Sequence, residues 1–431
     1  LSLTVLKINS IVIKNFKSIE DKKIPFKKFT IFIGPNSSGK SSILQSLLIL
    51  KRTLGKKPYS AQLITKTDTI ELGEFKDIVT FHDLGRKITF RINVDKQLSE
   101  GITENAPITA NFWYEATTDN LGQYATRFGG TFDNYEVNFN SERNTDTTSY
   151  CRDNTNTESS LPLERPSIEG YNIRMRCTQN TEQANRFNSL FSNGNFTQEM
   201  MNDFHYVPFY RIATKYAELM ARSQTDFLES NSDHLIQFLI NNLSSNLDLQ
   251  DKVSKLMQDL TGKSIRTSTY DLMNNDSGVM MHYIKNGFSN AITNEGTGPN
   301  QALLLLSVLV GTRDGSVIAI DEPEIHLHPS AQTKLANIII DLGTKNSKQI
   351  MFTTHSEHML FPFLASIASK QKGTLSKNDV GIYYVSIDEK TNTTSVEELE
   401  INELGQIRGG LKGFWDADLQ SFIDVYGESN G

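Results

Sequence analysis

Two segments about 280 residues apart, Gly34-Pro35-Asn36-Ser37-Ser38-Gly39-Lys40-Ser41 and Val317-Ile318-Ala319-Ile320-Asp321-Glu322, constrain this chain more than anything else in it. The first fits G-x-x-x-x-G-K-[ST], a loop whose backbone amides cradle phosphates while Lys40 reaches the β/γ oxygens and the Ser41 hydroxyl serves Mg²⁺. The apolar run Phe29–Ile33 before it reads as a buried strand, and Ser42–Leu50 reads as a helix opening directly after the loop. The second segment is an apolar strand ending in two acids. It sets Asp321 at the C-terminal edge of a sheet as a direct or indirect Mg²⁺ partner, and Glu322 where it can polarise an attacking water. Either pattern alone arises by chance; together, in this order, they predict one ATP-hydrolysing site split across the sequence.

A chain of 431 residues is long enough for two lobes. No stretch reaches 18 consecutive apolar residues, and the N-terminus lacks a charged region followed by an apolar one. No membrane span or signal peptide is therefore expected, and the expected location is cytoplasmic. Cys151 and Cys177 lack metal-ligand spacing and read as free thiols. The formal charge of −7 is unevenly spread, because residues 1–60 carry twelve Lys and Arg against Glu20 and Asp21, a local +10. Such asymmetry can mark a nucleic-acid face, but without interleaved aromatics the simple solvation of strand edges and of the first helix is slightly favoured.

Along the chain, Val5–Phe16, Thr69–Leu72, Lys87–Val94, Ile108–Glu115 and Tyr124–Phe128 read as strands of an antiparallel β-subdomain flanking the nucleotide. The polar stretch Ser141–Ser160 reads as a mobile loop or local insertion, with strand signals resuming at Tyr171–Cys177. From Gln198 the period becomes helical, with Leu235, Phe238, Leu239, Asn242 and Leu243 on one face and a second helix around Val253, Leu256 and Leu260. The last third alternates helix Gln301–Gly311, the Asp321-Glu322 strand, helix Ser330–Leu342, strand Gln349–Thr354 and a helix from Glu357, the rhythm of a mostly parallel sheet. No fixed repeat or long heptad run is present, so long coiled-coil arms are not expected. The division this predicts is residues 1–95 as the N-terminal part of an ATPase head and 96–195 as a β-rich insertion. Residues 196–262 form a helical lobe and 263–431 complete the head.

Asn15-Phe16-Lys17-Ser18, the phosphate loop, Asp321-Glu322-Pro323-Glu324-Ile325-His326-Leu327-His328-Pro329 and Thr353-Thr354-His355-Ser356 together resemble the ABC-type ATPase heads of the SMC, RecF and OLD (overcoming lysogenization defect) group. The resemblance implies an α/β P-loop NTPase with a mixed sheet, an antiparallel β-subdomain and an inserted helical lobe. It also implies that Gly34 to Ser42 hold ATP and that Ser41 and Asp321 hold Mg²⁺. In such heads two copies close on two nucleotides, each facing a signature segment of the other, here Gly296, Gly298 and Gln301 in Glu295–Gln301. Asn300 stands where the group commonly has Ser. His355 resembles the switch histidine near the γ-phosphate, which with Glu322 and Lys40 makes the catalytic set. His326 and His328 resemble the interface segment rather than metal ligands. The glutamine that usually touches Mg²⁺ has no clear counterpart, Gln62 being the nearest.

OLD nucleases continue after the ATPase into a TOPRIM nuclease domain, whereas this chain stops about 75 residues after His355, so by the resemblance nuclease activity of its own is not expected. By the same resemblance it is similar to standalone ATPase subunits of two-gene anti-phage systems such as PARIS or Septu, a homo-oligomer controlling a separate effector or nuclease. The alternatives are a RecF- or SMC-like DNA-binding repair ATPase, a transporter's nucleotide-binding subunit, and a protein that keeps ATP as structural glue.

Overall fold

The computed structural model describes residues 6–54, 59–60, 63–66, 71–96, 108–119, 122–132, 135–140, 148–153, 160–162, 168–169, 172–173, 203–209, 217–219, 246–271, 277–369 and 375–410. Its strands include β1 (Leu6–Phe16), β2 (Ile19–Pro25), β3 (Phe29–Ile33), β4 (Ile88–Lys96), β5 (Ile108–Asp119), β6 (Gly122–Phe132), β7 (Tyr135–Asn140), β8 (Thr148–Asp153) and β9 (Ser160–Pro162). After these come β10 (Phe204–Val207), β11 (Ser264–Asp271), β12 (Ser277–Lys285), β13 (Phe288–Ala291), β14 (Val317–Asp321), β15 (Gln349–Thr354), β16 (Val380–Asp388) and β17 (Thr393–Leu399). The α-helices among the described residues are α1 (Lys40–Leu54), α2 (Phe75–Ile78), α3 (Leu247–Thr261), α4 (Thr297–Gly311), α5 (Pro329–Lys345) and α6 (Glu357–Ala368).

Among the described residues the strands form four sheets of a mixed α/β fold, and the two largest position the site. A six-stranded sheet runs β10-β14-β15-β3-β16-β17, parallel except for β17, which pairs antiparallel with β16. An eight-stranded antiparallel sheet runs β9-β8-β7-β6-β5-β4-β1-β2. Because β3 lies at the centre of the first sheet, every one of its residues is buried: Phe32 faces the core shared with α1 and the antiparallel sheet, while Phe29, Ile31 and Ile33 face the core under α3, α4, α5 and α6. A strand buried on both faces reads as an unbroken apolar run, which is why the sequence reveals it. Each such side chain contributes about 2 kcal/mol by leaving water.

The sheet brings both nucleotide motifs to one edge. β14 and β3 are separated only by β15, so Asp321 and the loop after Ile33 leave the same C-terminal edge of the sheet.

Three local expectations meet a different structure. Phe204–Val207, within the stretch read as helical, is a strand pairing in parallel with β14. All four of its residues are buried, so it shows no alternation to distinguish it from a helix. Thr148–Asp153, within the expected loop, is a strand paired with β7 and β9, since a ladder bonds through backbone groups and tolerates polar side chains. Glu71 makes only an isolated bridge with Lys66. Residues 69–70, 141–147, 154–159 and 174–177, Gln198, Leu235, Phe238, Leu239, Asn242, Leu243 and Gln62 lie outside the described residues.

Part of the N-terminal positive charge is paired or buried. Lys14 pairs with Asp21, Lys27 with Glu398, and Lys17 donates to Gln45. Lys51 is buried, donating to the Phe204 carbonyl at 2.6 Å. Among the described residues no helix is long and apolar enough to cross a membrane.

Candidate nucleotide site

The phosphate loop is shaped by the hairpin beside it as well as by its own turn. Gly34 (φ 145°) and Gly39 (φ 103°) occupy backbone conformations that side chains rarely adopt. A Cβ on Gly34 would lie 2.0 Å from the Val385 carbonyl oxygen, and one on Gly39 would lie 2.4 Å from Thr394 Oγ1. Thr394 in β17 donates to the Ser38 carbonyl at 2.9 Å, shares a 2.7 Å hydrogen bond with the Ser18 hydroxyl, and donates its amide to the Ser18 carbonyl. The loop then opens into α1, whose exposed N-terminal amides favour an anion.

Lys40 Nζ donates to the carbonyls of Gly34 at 3.0 Å and Pro35 at 2.7 Å. Burial pushes its ammonium down to about 8, and Glu322, Asp321 and Glu324 partly oppose that. Lys17 is lowered in the same way by burial, against the pull of Asp321.

Asp321 is fully buried and bonded to two hydroxyls, Tyr206 donating to Oδ2 at 2.6 Å and Thr353 to Oδ1 at 2.8 Å, with the Ser41 hydroxyl near enough to favour its charged form. Burial raises its carboxyl and these hydroxyls pull it back. A carboxylate next to the loop serine is an all-oxygen donor set that fits Mg²⁺, which takes one or two protein oxygens and completes its shell with water and phosphate. Among the described residues no group of three or more His, Cys, Asp or Glu could hold a metal unaided. Ser41 and Asp321 would hold the ion, which when bound neutralises charge on the phosphates.

Glu322 follows Asp321 with φ 44°, in the left-handed region that side chains enter at a cost. Its amide is held by Thr353 Oγ1 at 3.0 Å, and its Oε1 lies 3.5 Å from His355 Nε2. Lys17, Ser18, Asn36, Ser37, Ser38, Gly39, Lys40, Ser41, Ser42, Glu322 and His355 line one open pocket of about 240 Å³. The arrangement can bind phosphate, hold Mg²⁺ and present a carboxylate and an imidazole to water.

The structure thus gathers the loop, Asp321, Glu322 and His355, while Gly296, Gly298 and Gln301 lie outside the pocket wall. Gly296 is the exposed N-cap of α4, and Gln301 is buried. A Cβ on Gly298 would meet the His326 carbonyl oxygen at 2.5 Å. Asn300 faces inward, accepting from Tyr283 Oη and donating to the Ile292 carbonyl, both at 2.9 Å. His326 and His328 are exposed, and His328 caps α5. Sequence reasoning gave no role to Tyr206, Thr353, Glu324 or Thr394. Glu324 and Thr353 lie inside the motif segments, whereas Tyr206 and Thr394 lie far from them in sequence and their pairing needs the sheet order.

The sequence matches the AAA ATPase domain family over residues 6–360. Comparison with curated proteins gives no significant match. Among solved structures, an SMC head bound to the C-terminal winged-helix domain of ScpA is similar at 13% identity and a TM-score of 0.49, over 92% of this chain and 98% of that one. An SMC head with an extended coiled coil, bound to the C-terminal domain of ScpA derived from Pyrococcus furiosus, is similar at 12% identity and a TM-score of 0.47, over 97% and 99%. The SMC head from Thermotoga maritima follows at 10% identity and 0.39, over 92% and 100%. With the phosphate loop and Asp321 on one sheet edge and the family match covering most of its length, the chain belongs to the AAA ATPase domain family.

Proposed function

We infer that this chain is an ATP-hydrolysing switch in which Glu322 polarises water, His355 supports it, and Lys40 and the loop amides hold the phosphates. The observation that carries this reading is the pocket lined by the phosphate loop, with Glu322 and His355 3.5 Å apart in its wall and Asp321 at the end of the same strand. Glu322→Gln keeps shape and hydrogen-bonding reach but loses the basic carboxylate. It should bind ATP normally and turn over on the order of 100-fold more slowly. Equal turnover in mutant and wild type rejects the assignment.

The pocket is small and open, and the signature-like segment stands away from it, which supports a nucleotide completed by a second copy of the chain. In this reading the closed homo-oligomer controls a separate effector, a nuclease in anti-phage defence, as the motif layout suggests. ATP should then drive Glu322→Gln into longer-lived assemblies by light scattering, and the effector should co-purify from its genomic neighbours. The DNA-binding alternative is equally consistent with the fold, and duplex affinity that falls linearly with salt on logarithmic axes would favour it.

A further inference from the structure

Glu324 is a carboxylate only 7% exposed, in the loop leaving β14, and it is no part of the pocket wall. An acid buried to this degree forfeits its hydration and persists only where donors replace water. Two do so at a single oxygen: the Thr354 hydroxyl reaches Oε1 at 2.6 Å and the His355 amide reaches it at 3.0 Å. Oε2 has no partner among the described residues. An apolar side chain of similar volume would fill the space without that cost, so packing does not account for an acid here.

Both donors belong to the point where β15 ends and the chain turns through Ser356, the N-cap of α6. The direction of the His355 imidazole follows its backbone, and the backbone amide is what Glu324 holds. A second tether runs in parallel, with Ser356 Oγ bonded to Gln332 Oε1 and Gln332 Nε2 donating to the Leu327 carbonyl at 2.8 Å. Residues 322–328 and 354–356 are therefore joined at two points. The same loop bears on α4 through the close approach of the His326 carbonyl to Gly298.

We propose that Glu324 is a positioning residue that, by accepting from Thr354 and from the His355 amide, holds the His355 imidazole against Glu322 and ties that spacing to the exposed loop His326–His328. This rests on Glu322 and His355 being the hydrolytic pair. Displacement of residues 326–328 when a second copy docks would reach His355 through this carboxyl.

The test uses the full chain and compares Glu324→Gln, which keeps an accepting oxygen, with Glu324→Ala, which removes it. Since a misplacement of about 1 Å can cost up to about 100-fold, Glu324→Ala should lose about tenfold or more in kcat at unchanged KM for ATP, while Glu324→Gln stays within about threefold. Thr354→Val, which deletes one donor, should fall between them. Hydrogen exchange at the His355 amide should quicken in Glu324→Ala and stay slow in Glu324→Gln, whatever the turnover. Wild-type kcat in Glu324→Ala, equal loss in both Glu324 variants, or equal amide exchange in both overturns the proposal. Should Glu324→Ala fail to fold, wild-type kcat in Thr354→Val does the same. Failure of the underlying reading looks different: wild type without turnover, or Glu322→Gln at wild-type rate.

Discussion

The phenol of Tyr206 donates a 2.6 Å hydrogen bond to Oδ2 of Asp321 across 115 positions of sequence. The bond exists because β10 pairs in parallel with β14, matching Tyr206 with Ala319 in register and bringing its side chain to the end of the acidic strand. Asp321 is fully buried, so each hydroxyl around it replaces a water that it cannot otherwise have.

Tyr206→Phe removes one of these donors while keeping the ring. Leaving a buried acceptor short of a partner costs about 1–3 kcal/mol, so the denaturant midpoint should fall at an unchanged m-value. A midpoint equal to wild type would mean that water takes over at Oδ2.

Lys40 gives a pH signature. Its ammonium is pushed down to about 8 by burial, and bound phosphates restore the charged form. ATP binding should therefore take up close to one proton at about pH 9, none from this group at about pH 6.5, and weaken as pH climbs from 8 to 10. Titration calorimetry in buffers of different ionisation heat reads this directly, and identical uptake at both pH values contradicts it. For folding the sign is opposite to that of a raised lysine. The unfolded chain holds more protons between about pH 8 and 10, so this group makes stability rise with pH across that window.

Gly296 and Gly298 separate what the chain needs from what a second copy needs. Gly296 has ordinary φ −61° and open space around its missing Cβ, so Gly296→Ala should melt like wild type yet lose ATP-driven assembly if a nucleotide of another copy lies there. Gly298→Ala must displace the His326 carbonyl and should lower the melting temperature itself. Unaltered assembly by light scattering in Gly296→Ala removes that segment from the interface.

Lys348 is 1% exposed and donates to the carbonyls of Leu309 at 2.6 Å and Thr312 at 2.8 Å, where α4 ends. A cation there satisfies groups that the helix leaves open and suits the negative end of its dipole. Lys348→Met keeps the packing but removes the donors, so stability should drop by about 1–3 kcal/mol, with faster hydrogen exchange in the last turn of α4. Unchanged exchange there would assign the loss to packing alone.

What the sequence reveals depends on whether a residue's role is written locally. The phosphate loop with its flanking strand and helix, the acidic end of β14 and the strand before His355 are contiguous patterns, and the structure has all of them. Tyr206 and Thr394 act through strand neighbours chosen by the order of the sheet, which no local period encodes. Glu324 stood in view inside the acidic motif, but its partner at Thr354 became visible only once β14 and β15 were side by side. Short strands such as Phe204–Val207 carry too few residues to separate the two periodicities.

The position of β3 between β15 and β16 sets an order of events for synthesis. Both neighbours, and the Val385 and Thr394 contacts that fit the loop glycines, come from segments more than 300 residues downstream. At roughly 5–20 residues per second the phosphate loop leaves the ribosome on the order of twenty seconds to a minute before the strands that give it shape. Until then β3 is an apolar segment with both edges open, which is when this chain is most exposed to aggregation and most dependent on chaperones. The motif that begins the site is thus among the last parts of the molecule to become competent for nucleotide.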